Sequence, residues 1–360
     1  MGKNKSRLQR AQEQAESSIE RTNRKISELG AHTSGLYDAL NSIQKRFDAI
    51  RNVPSEKRLE YEKLKEIRLN WKQQAQTIEA NYKRAVAQDA GKGAAGVGAG
   101  VAVVALAPTA AMGIATTFGV ASTGTAISAL SGAAATNAAL AWLGGGALAA
   151  GGGGMAAGSA LLALAGPIGW AIAGGSMLIS GLLLWKGKSE QARLEDIFAL
   201  ISKRDVKSYV LAIVEMNERI DRIKDESQKL SAADEKIQGF GLDYNCMAES
   251  QQYELGSYVN LMNSSTQLLV NPILGLQPKY SASDLGKYMT RSEQEIEENQ
   301  IPMIVSLANL LYKIDLDEKD KKLLWKSLKG NKGFLESMGI SADDFAFSIV
   351  ETVMDALASG

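Results

Sequence analysis

Charged residues are missing from one long stretch of this sequence. Between Gly93 and Trp185 there is no Asp, Glu, Lys, Arg or His. About a quarter of the residues of an ordinary globular domain are charged, so a soluble domain of this length with none would be exceptional. The stretch has enough residues for two to four membrane spans of about 20 residues each. The sequence therefore predicts that residues 93–185 enter a bilayer as helices.

Cysteine and histidine are each present once, as Cys246 and His32. A single cysteine cannot form an internal disulfide, and a single histidine excludes metal sites built on paired imidazoles. The run AGKGAAGVGAG fails as a phosphate loop, because Gly93 rather than Ser or Thr follows Lys92. We therefore expect no enzymatic activity, no catalytic residue, no metal, no cofactor and no nucleic-acid partner.

The amino terminus reads MGKNKSRLQR, which is basic and has no apolar run behind it. This pattern predicts that no secretory signal peptide is present. It also matches Met-Gly-x-x-x-Ser, which makes Gly2 a candidate for myristoylation. We expect a membrane location, reached directly or through a cytoplasmic or secreted form.

The charge of the chain is balanced overall but uneven along its length. There are 40 basic and 40 acidic residues in all, while residues 1–92 hold 19 basic and 12 acidic ones. This amino-terminal excess can attract an anionic surface or the acidic remainder of the chain. The uncharged stretch is flanked by Lys92 and Lys186, so both of its ends should stay on one face of a membrane. A helical hairpin is the simplest arrangement with an even number of crossings.

Sequence typical of amphipathic helices lies on both sides of the uncharged stretch. A heptad seam predicts a helix that ends or kinks at Pro54 and then resumes, so residues 1–92 read as a basic helical hairpin or coiled coil. Residues 186–270 are predicted to be amphipathic helices that pack with the first region, the first of them with Val210 on its apolar face. Residues 271–360 are predicted to be a small acidic helical region, with helices at about 283–298, 303–314, 317–329 and 342–358. No strand pattern is present, and the predicted fold is all-α with a central Gly/Ala-rich hydrophobic membrane-inserting segment. The seam comprises Ile19, Thr22, Ile26, Leu29, Thr33, Leu36, Leu40, Ile43, Phe47 and Ile50.

Three kinds of residue in the uncharged stretch carry the membrane hypothesis. Large apolar side chains would face lipid, small residues spaced four apart would allow close helix contacts, and tryptophans would lie at the bilayer interface. The lipid-facing candidates are Val101, Val103, Val104, Leu106, Leu161, Leu162, Leu164, Ile179, Leu182, Leu183 and Leu184. The contact glycines are Gly96, Gly100, Gly154 and Gly158, and the interfacial anchors are Trp142, Trp170 and Trp185.

Two further features allow more than one interpretation. The acids of DLDEKD (315–320) are spaced as in a calcium loop, but the sixth-position glycine and the closing glutamate are absent. A helix amino-terminal cap is the preferred interpretation. His32 is either a packed side chain on the first helix or a pH trigger for membrane entry.

Two protein families share parts of this layout. Long amphipathic helices that bracket one uncharged apolar insertion resemble the cytolysin A type of α-pore-forming proteins, over about residues 10–240. That resemblance implies a hydrophobic head held against a helical bundle and released at a membrane. Residues 118–169, with Gly151–Gly154 followed by Met-Ala-Ala-Gly-Ser, are similar to the membrane segment of the interferon-alpha-inducible small membrane protein family.

Two functions follow from the sequence. The first is a membrane-inserting protein that forms homo-oligomers, with or without a companion chain, and permeabilises or remodels a bilayer as a pore-forming toxin or effector. The alternative is a constitutive membrane-anchored coiled-coil scaffold that recruits protein partners without forming a pore. Release of dye from liposomes separates the two.

Overall fold

The computed structural model describes residues 7–90, 108–118, 187–277, 279–280, 284, 300–330, 335 and 341–359. In these ranges the regular elements are helices, and one isolated bridge joins Arg51 to Asp243. The predicted all-α class is confirmed for this part of the chain. Its α-helices are α1 (Arg7–Ala49), α2 (Ser55–Ala90), α3 (Pro108–Phe118), α4 (Lys188–Ile237), α5 (Glu249–Val270), α6 (Ile301–Leu311), α7 (Glu318–Lys329) and α8 (Phe347–Ser359).

Helix α1 buries the seam that the sequence predicts. Every seam residue whose side chain is described is buried, from Thr22 to Ile50; the side chain of Ile19 lies outside the described residues. The helix ends at Ala49, where Asn52 adopts a φ of 58° and Pro54 prevents a continuous helix. The period-3.5 pattern of the sequence thus becomes one continuous apolar face.

The partner of α1 along most of its length is α4 rather than the consecutive helix α2. The two helices run parallel, since Arg7 pairs with Asp196 (Nη1–Oδ1 2.8 Å) near their starts and Arg46 pairs with Asp234 (Nε–Oδ1 3.1 Å) near their ends. Beyond the ends, Arg51 N donates to Leu242 O at 2.9 Å, which joins the two following loops. Helices α1 and α4 therefore lie side by side and run in the same direction.

Helices α2 and α5 return antiparallel to this pair and complete a bundle. On α2, the Lys65 ammonium binds the Asp48 carboxylate at 2.8 Å. On α5, Ser264 and Ser265 both donate to a carboxylate oxygen of Glu226 at 2.8 Å. The main core fills the space between these four helices and α3.

A second core forms at the amino-terminal half of α4. Leu194, Ile197, Phe198 and Ile201 of α4 pack there with Leu8 and with residues of α6, α7 and α8. The helices predicted at about 303–314, 317–329 and 342–358 correspond to these three, within a few residues. The helix predicted at 283–298 lies almost wholly outside the described residues.

One part of the predicted buried face of α4 is wrong. The apolar periodicity places Val210 among the inward residues, but its side chain is 44% exposed. Tyr209, Ala212 and Met216 are buried there instead. The buried face of α4 continues there through Asp205, Tyr209 and Ala212, an acidic, an aromatic and a small residue that a count of branched apolar residues overlooks.

Candidate functional site

Helix α3 is the described part of the uncharged stretch, and it lies inside the bundle. Every residue from Ala111 to Thr117 is buried. Its neighbours are α1, α2 and α5. A helix that is apolar on all sides has no face to offer to water and must be covered. We call the residues of α1, α2 and α5 around it, with the loop at 271–277, the α3 cradle.

Gly113 sets how closely α3 approaches α1. A Cβ atom at this position would lie 2.0 Å from Ile26 O and 3.1 Å from Gly30 N. Real Cβ atoms do not come this near to a backbone oxygen, so no side chain larger than hydrogen fits without moving the helix. The close approach of α3 to α1 thus depends on a glycine that was not among the predicted contact glycines Gly96, Gly100, Gly154 and Gly158, all of which lie outside the described residues.

The polar groups of α3 are satisfied within the cradle. Thr116 Oγ1 accepts a hydrogen bond from Trp71 Nε1 at 3.2 Å, in a fully buried position. At the carboxyl end, Thr117 O accepts from Ile273 N at 2.8 Å and from Gln277 Nε2 at 3.3 Å. Helix ends otherwise leave carbonyl groups without partners, so the loop after α5 acts as a cap for α3. The cradle holds α3 by specific contacts as well as by burial.

A buried cation lies beside this arrangement. The Arg68 side chain, on α2, is 1% exposed and donates to Gln44 Oε1 at 2.6 Å and to Thr266 Oγ1 at 3.4 Å. Its Nε has no hydrogen-bond partner, and no carboxylate forms an ion pair with it among the described residues. Burial lowers the pKa of Arg68 to about 10. A buried charge without a counter-ion disfavours the closed state of the bundle.

The junction of the two cores holds a buried ion pair on α4. Arg204 donates from Nε and Nη2 to Asp205 Oδ1, at 2.9 and 2.7 Å, and from Nη1 to the carbonyl oxygens of Leu310 and Tyr312 at 2.6 and 2.7 Å. It thereby fastens the end of α6 to α4. Burial raises the pKa of Asp205 to about 7 despite the neighbouring guanidinium. Burial also raises the pKa of Tyr209 one turn further on, and Asp205 adds to that shift.

The acids of DLDEKD form a helix cap, as the sequence predicts. Asp317 is the N-cap of α7, and its carboxylate accepts from Asp320 N at 2.8 Å. Arg193 on α4 forms ion pairs with both Asp317 and Asp320, the latter at 2.7 Å. The carboxylates thus connect α7 to α4. Among the described residues, no group of three or more His, Cys, Asp or Glu side chains could hold a metal ion.

A surface cavity of about 570 Å³ lies at the far end of the α1–α4 pair. Ser42 and Arg46 line it, and both bind the carboxylate of Asp234, at 3.3 and 3.1 Å. Their polar groups therefore already serve to join α1 to α4. The cavity brings no reactive set of side chains together.

The residues predicted to enter or anchor in a membrane all lie outside the described residues. This holds for the apolar candidates Val101–Leu106, Leu161–Leu164 and Ile179–Leu184, for the four contact glycines, for the three tryptophans and for Gly2. Among the described helices, none combines the length and apolarity that a membrane crossing requires. Sequence reasoning did not anticipate the cradle, although Gly113 and the two threonines after it distinguish residues 108–118 from the simpler Ala/Gly runs that follow.

No protein-family model, curated protein or solved structure matches this chain.

Proposed function

We propose that this protein inserts residues 93–185 into a lipid bilayer, oligomerises, and permeabilises or remodels that bilayer. The observation that supports the proposal most directly is the burial of α3. A helix from an uncharged stretch is held inside a bundle whose outer faces carry charged side chains. Such an arrangement shelters apolar sequence from water until a better apolar environment is at hand.

Moving α3 from the cradle to lipid exchanges one apolar environment for another. Both environments remove apolar surface from water, so this contribution to the free energy is present in each. The free energy of transfer therefore depends on hydrogen bonding and charge. In hydrocarbon every backbone group must be bonded internally, and a helix such as α3 meets that condition except at its ends. The free energy of this transfer is therefore small, and a nearby bilayer can shift the equilibrium toward insertion.

The cradle contains a feature that favours opening. Arg68 gains water when α2 separates from α1 and α5, because its charge, to which no carboxylate of the described residues is bonded, is then no longer buried. Leaving the cradle also breaks the bonds from Trp71 and Ile273 to α3. The hydration of the Arg68 charge offsets part of the free energy that is lost with those contacts.

Charge favours encounter with an anionic bilayer. Residues 1–92 carry the basic excess of the chain, and each Lys or Arg near an anionic membrane surface contributes about 1 kcal/mol of attraction. In this proposal Lys92 and Lys186 stay at the headgroups while the segment between them enters. Trp142, Trp170 and Trp185 then anchor it at the interface, and Gly96, Gly100, Gly154 and Gly158 allow the close helix contacts of assembly.

The test is dye release from liposomes by the full chain, with charge substitutions as probes. Leu162→Asp and Leu183→Asp each place a carboxylate in the segment, at a cost of roughly 2.5–3.5 kcal/mol at the centre of a bilayer-spanning helix. We expect dye release and vesicle binding to fall sharply in both variants, with helix content unchanged. Leu242→Asp is the matched control, because Leu242 is 60% exposed in a loop outside the segment.

Three results distinguish the possible outcomes of this test. Loss of activity in the two segment variants alone supports the proposal. Binding without dye release by the parent protein supports the membrane-anchored scaffold. Full activity of both segment variants contradicts insertion at these positions.

A further inference from the structure

Exposed large apolar side chains occur together on α4 and in the loop after α5. Val210, Leu211 and Val214 lie on one side of α4 and are 44%, 65% and 60% exposed. Leu274, 67% exposed, lies in the loop whose Gly275 packs on the backbone of Ala212 in the same part of α4. We call Val210, Leu211, Val214 and Leu274 the apolar patch.

The loop that completes the patch is fixed in place. The carboxylate of Glu215 accepts from Leu274 N at 2.9 Å and from Gly275 N at 3.1 Å. A Cβ atom at Gly275 would lie 2.9 Å from Ala212 N, so the loop touches α4 directly. The exposure of Leu274 is therefore built into the fold. Single exposed apolar residues such as Leu59 and Leu69 are ordinary on a surface, whereas a fixed cluster is not.

The chain itself indicates what covers the patch. Thr117 O, in the last turn of α3, accepts from Ile273 N, and Ile273 is the residue before Leu274 in the loop. Residues 119–186 therefore follow a helix end that lies near the patch. They are followed by Gly187, the N-cap of α4, which lies roughly 35 Å from Val210 along that helix at 1.5 Å per residue.

The length and composition of residues 119–186 suit this surface. As helix they would extend about 100 Å, far more than the distance that they must cover. They carry no charge before Lys186, so they can cover apolar side chains without burying an ionised group. Leu200, 43% exposed on the same side of α4, lies between the patch and Gly187.

We infer that the apolar patch is the docking surface of residues 119–186 before membrane entry. The inference rests on the proposed function, because it supplies the shelter that an insertable segment needs outside a bilayer. The α3 cradle would then cover the start of the uncharged stretch, and the patch a later part of it. Leaving the patch and leaving the cradle would be successive steps of one release.

Crosslinking of the full chain in the absence of membranes tests this inference. A photoreactive diazirine amino acid is incorporated at position 211, and the adducts are mapped by mass spectrometry of the monomer band. We expect adducts within residues 119–186. The same amino acid at position 69, on the exposed side of α2, is the control and should give none there. Adducts that join two chains, or no adducts at position 211, would overturn the inference.

Binding of a dye that fluoresces on apolar surfaces gives a second measurement, in which the direction of the change in fluorescence decides. In Leu211→Glu/Val214→Glu the segment loses its docking surface, so dye fluorescence should rise severalfold over the parent. A bare patch would instead lose dye on this substitution, and a fall or no change contradicts the inference. Leu59→Glu/Leu69→Glu is the matched control. Because neither assay contains lipid, both results stand whether or not the protein releases dye from liposomes.

Discussion

At the scale of single residues, the described part of the molecule contains ionisable groups that oppose its closed state. Arg68 is buried without a carboxylate partner, and Asp205 is buried with one oxygen, Oδ2, unbonded. Both have pKa values shifted toward the neutral form by burial. The proposed function requires a closed state of limited stability, and these two side chains limit it.

Asp205 makes the stability of the protein depend on pH. Its pKa is about 7 when folded and 3.8 as an ordinary carboxyl, so the folded state binds the proton more tightly. The stabilisation by that proton is complete below pH 3.8 and is lost as the pH rises through 7. Acidification therefore strengthens the junction between the two cores, and Asp205 does not act as an acid trigger.

The first prediction concerns Asp205→Asn, which keeps the shape of the side chain and stays neutral. Above pH 7 this variant should be more stable than the parent by on the order of 2–4 kcal/mol, and the difference should shrink toward pH 4. Urea unfolding at several pH values measures it. A variant less stable than the parent at every pH would show that the Arg204–Asp205 pair is net stabilising.

Residue burial could be read from the sequence where branched apolar side chains mark the buried face and not where other residue types do. Regular steps of three and four placed the seam of α1 on one buried face. In α4 the buried face continues through Asp205, Tyr209 and Ala212, and Val210 falls on the outside. A pattern of branched apolar residues cannot follow a face built from a carboxylate, an aromatic ring and a small side chain.

At the scale of elements, α3 is the part of the uncharged stretch that the structure describes. Its helix begins at Pro108, which suits a first turn, and is held at Gly113, Thr116 and Thr117. The sequence placed residues 108–118 in a helical membrane-inserting stretch, but it singled out neither Gly113 nor a partner within the bundle. Hydrophobic pattern specifies which face is buried; it carries no information on which helix will cover that face. For the same reason the α1–α4 pairing could not be distinguished from an α1–α2 hairpin.

Gly113→Ala tests how tightly α3 is held. Alanine favours helix by about 1 kcal/mol over glycine, but its Cβ would overlap Ile26 O, and overpacking of this kind costs about 1–3 kcal/mol. We expect lower stability in denaturant, faster amide exchange across α3 and faster binding to vesicles. Gly35→Ala and Gly256→Ala are matched controls, because a Cβ at either helical site meets nothing within 4 Å. Equal stabilisation of all three variants would mean that α3 is not packed against α1.

At the scale of the whole molecule, the proposed function requires two states of one chain. In the closed state α3 lies in its cradle, and in the proposed open state residues 93–185 lie in lipid. We propose that the basic excess of residues 1–92 guides the first encounter with an anionic surface. Release of α3 is the step that connects the two states, so preventing it should abolish activity without disturbing the bundle.

A disulfide between α3 and its cap can prevent that release. Ile273 N and Thr117 O are 2.8 Å apart, so these two residues are direct neighbours and are the pair chosen for a disulfide, which requires Cα atoms roughly 4.4–6.8 Å apart. The pair Thr117→Cys/Ile273→Cys is made in a Cys246→Ser background, so that no other thiol is present. The control pair is Arg51→Cys/Leu242→Cys, whose backbones are joined by the corresponding bond of 2.9 Å but which leaves α3 free.

Dye release by the oxidised and reduced forms of these two proteins tests directly whether α3 must leave its cradle. We expect that oxidised Thr117→Cys/Ile273→Cys releases no dye, that a reductant restores release in the same sample, and that the control pair is active in both forms. Undiminished release by the oxidised, fully crosslinked Thr117→Cys/Ile273→Cys protein would show that α3 has no need to leave its cradle, and the proposed release of α3 would be wrong.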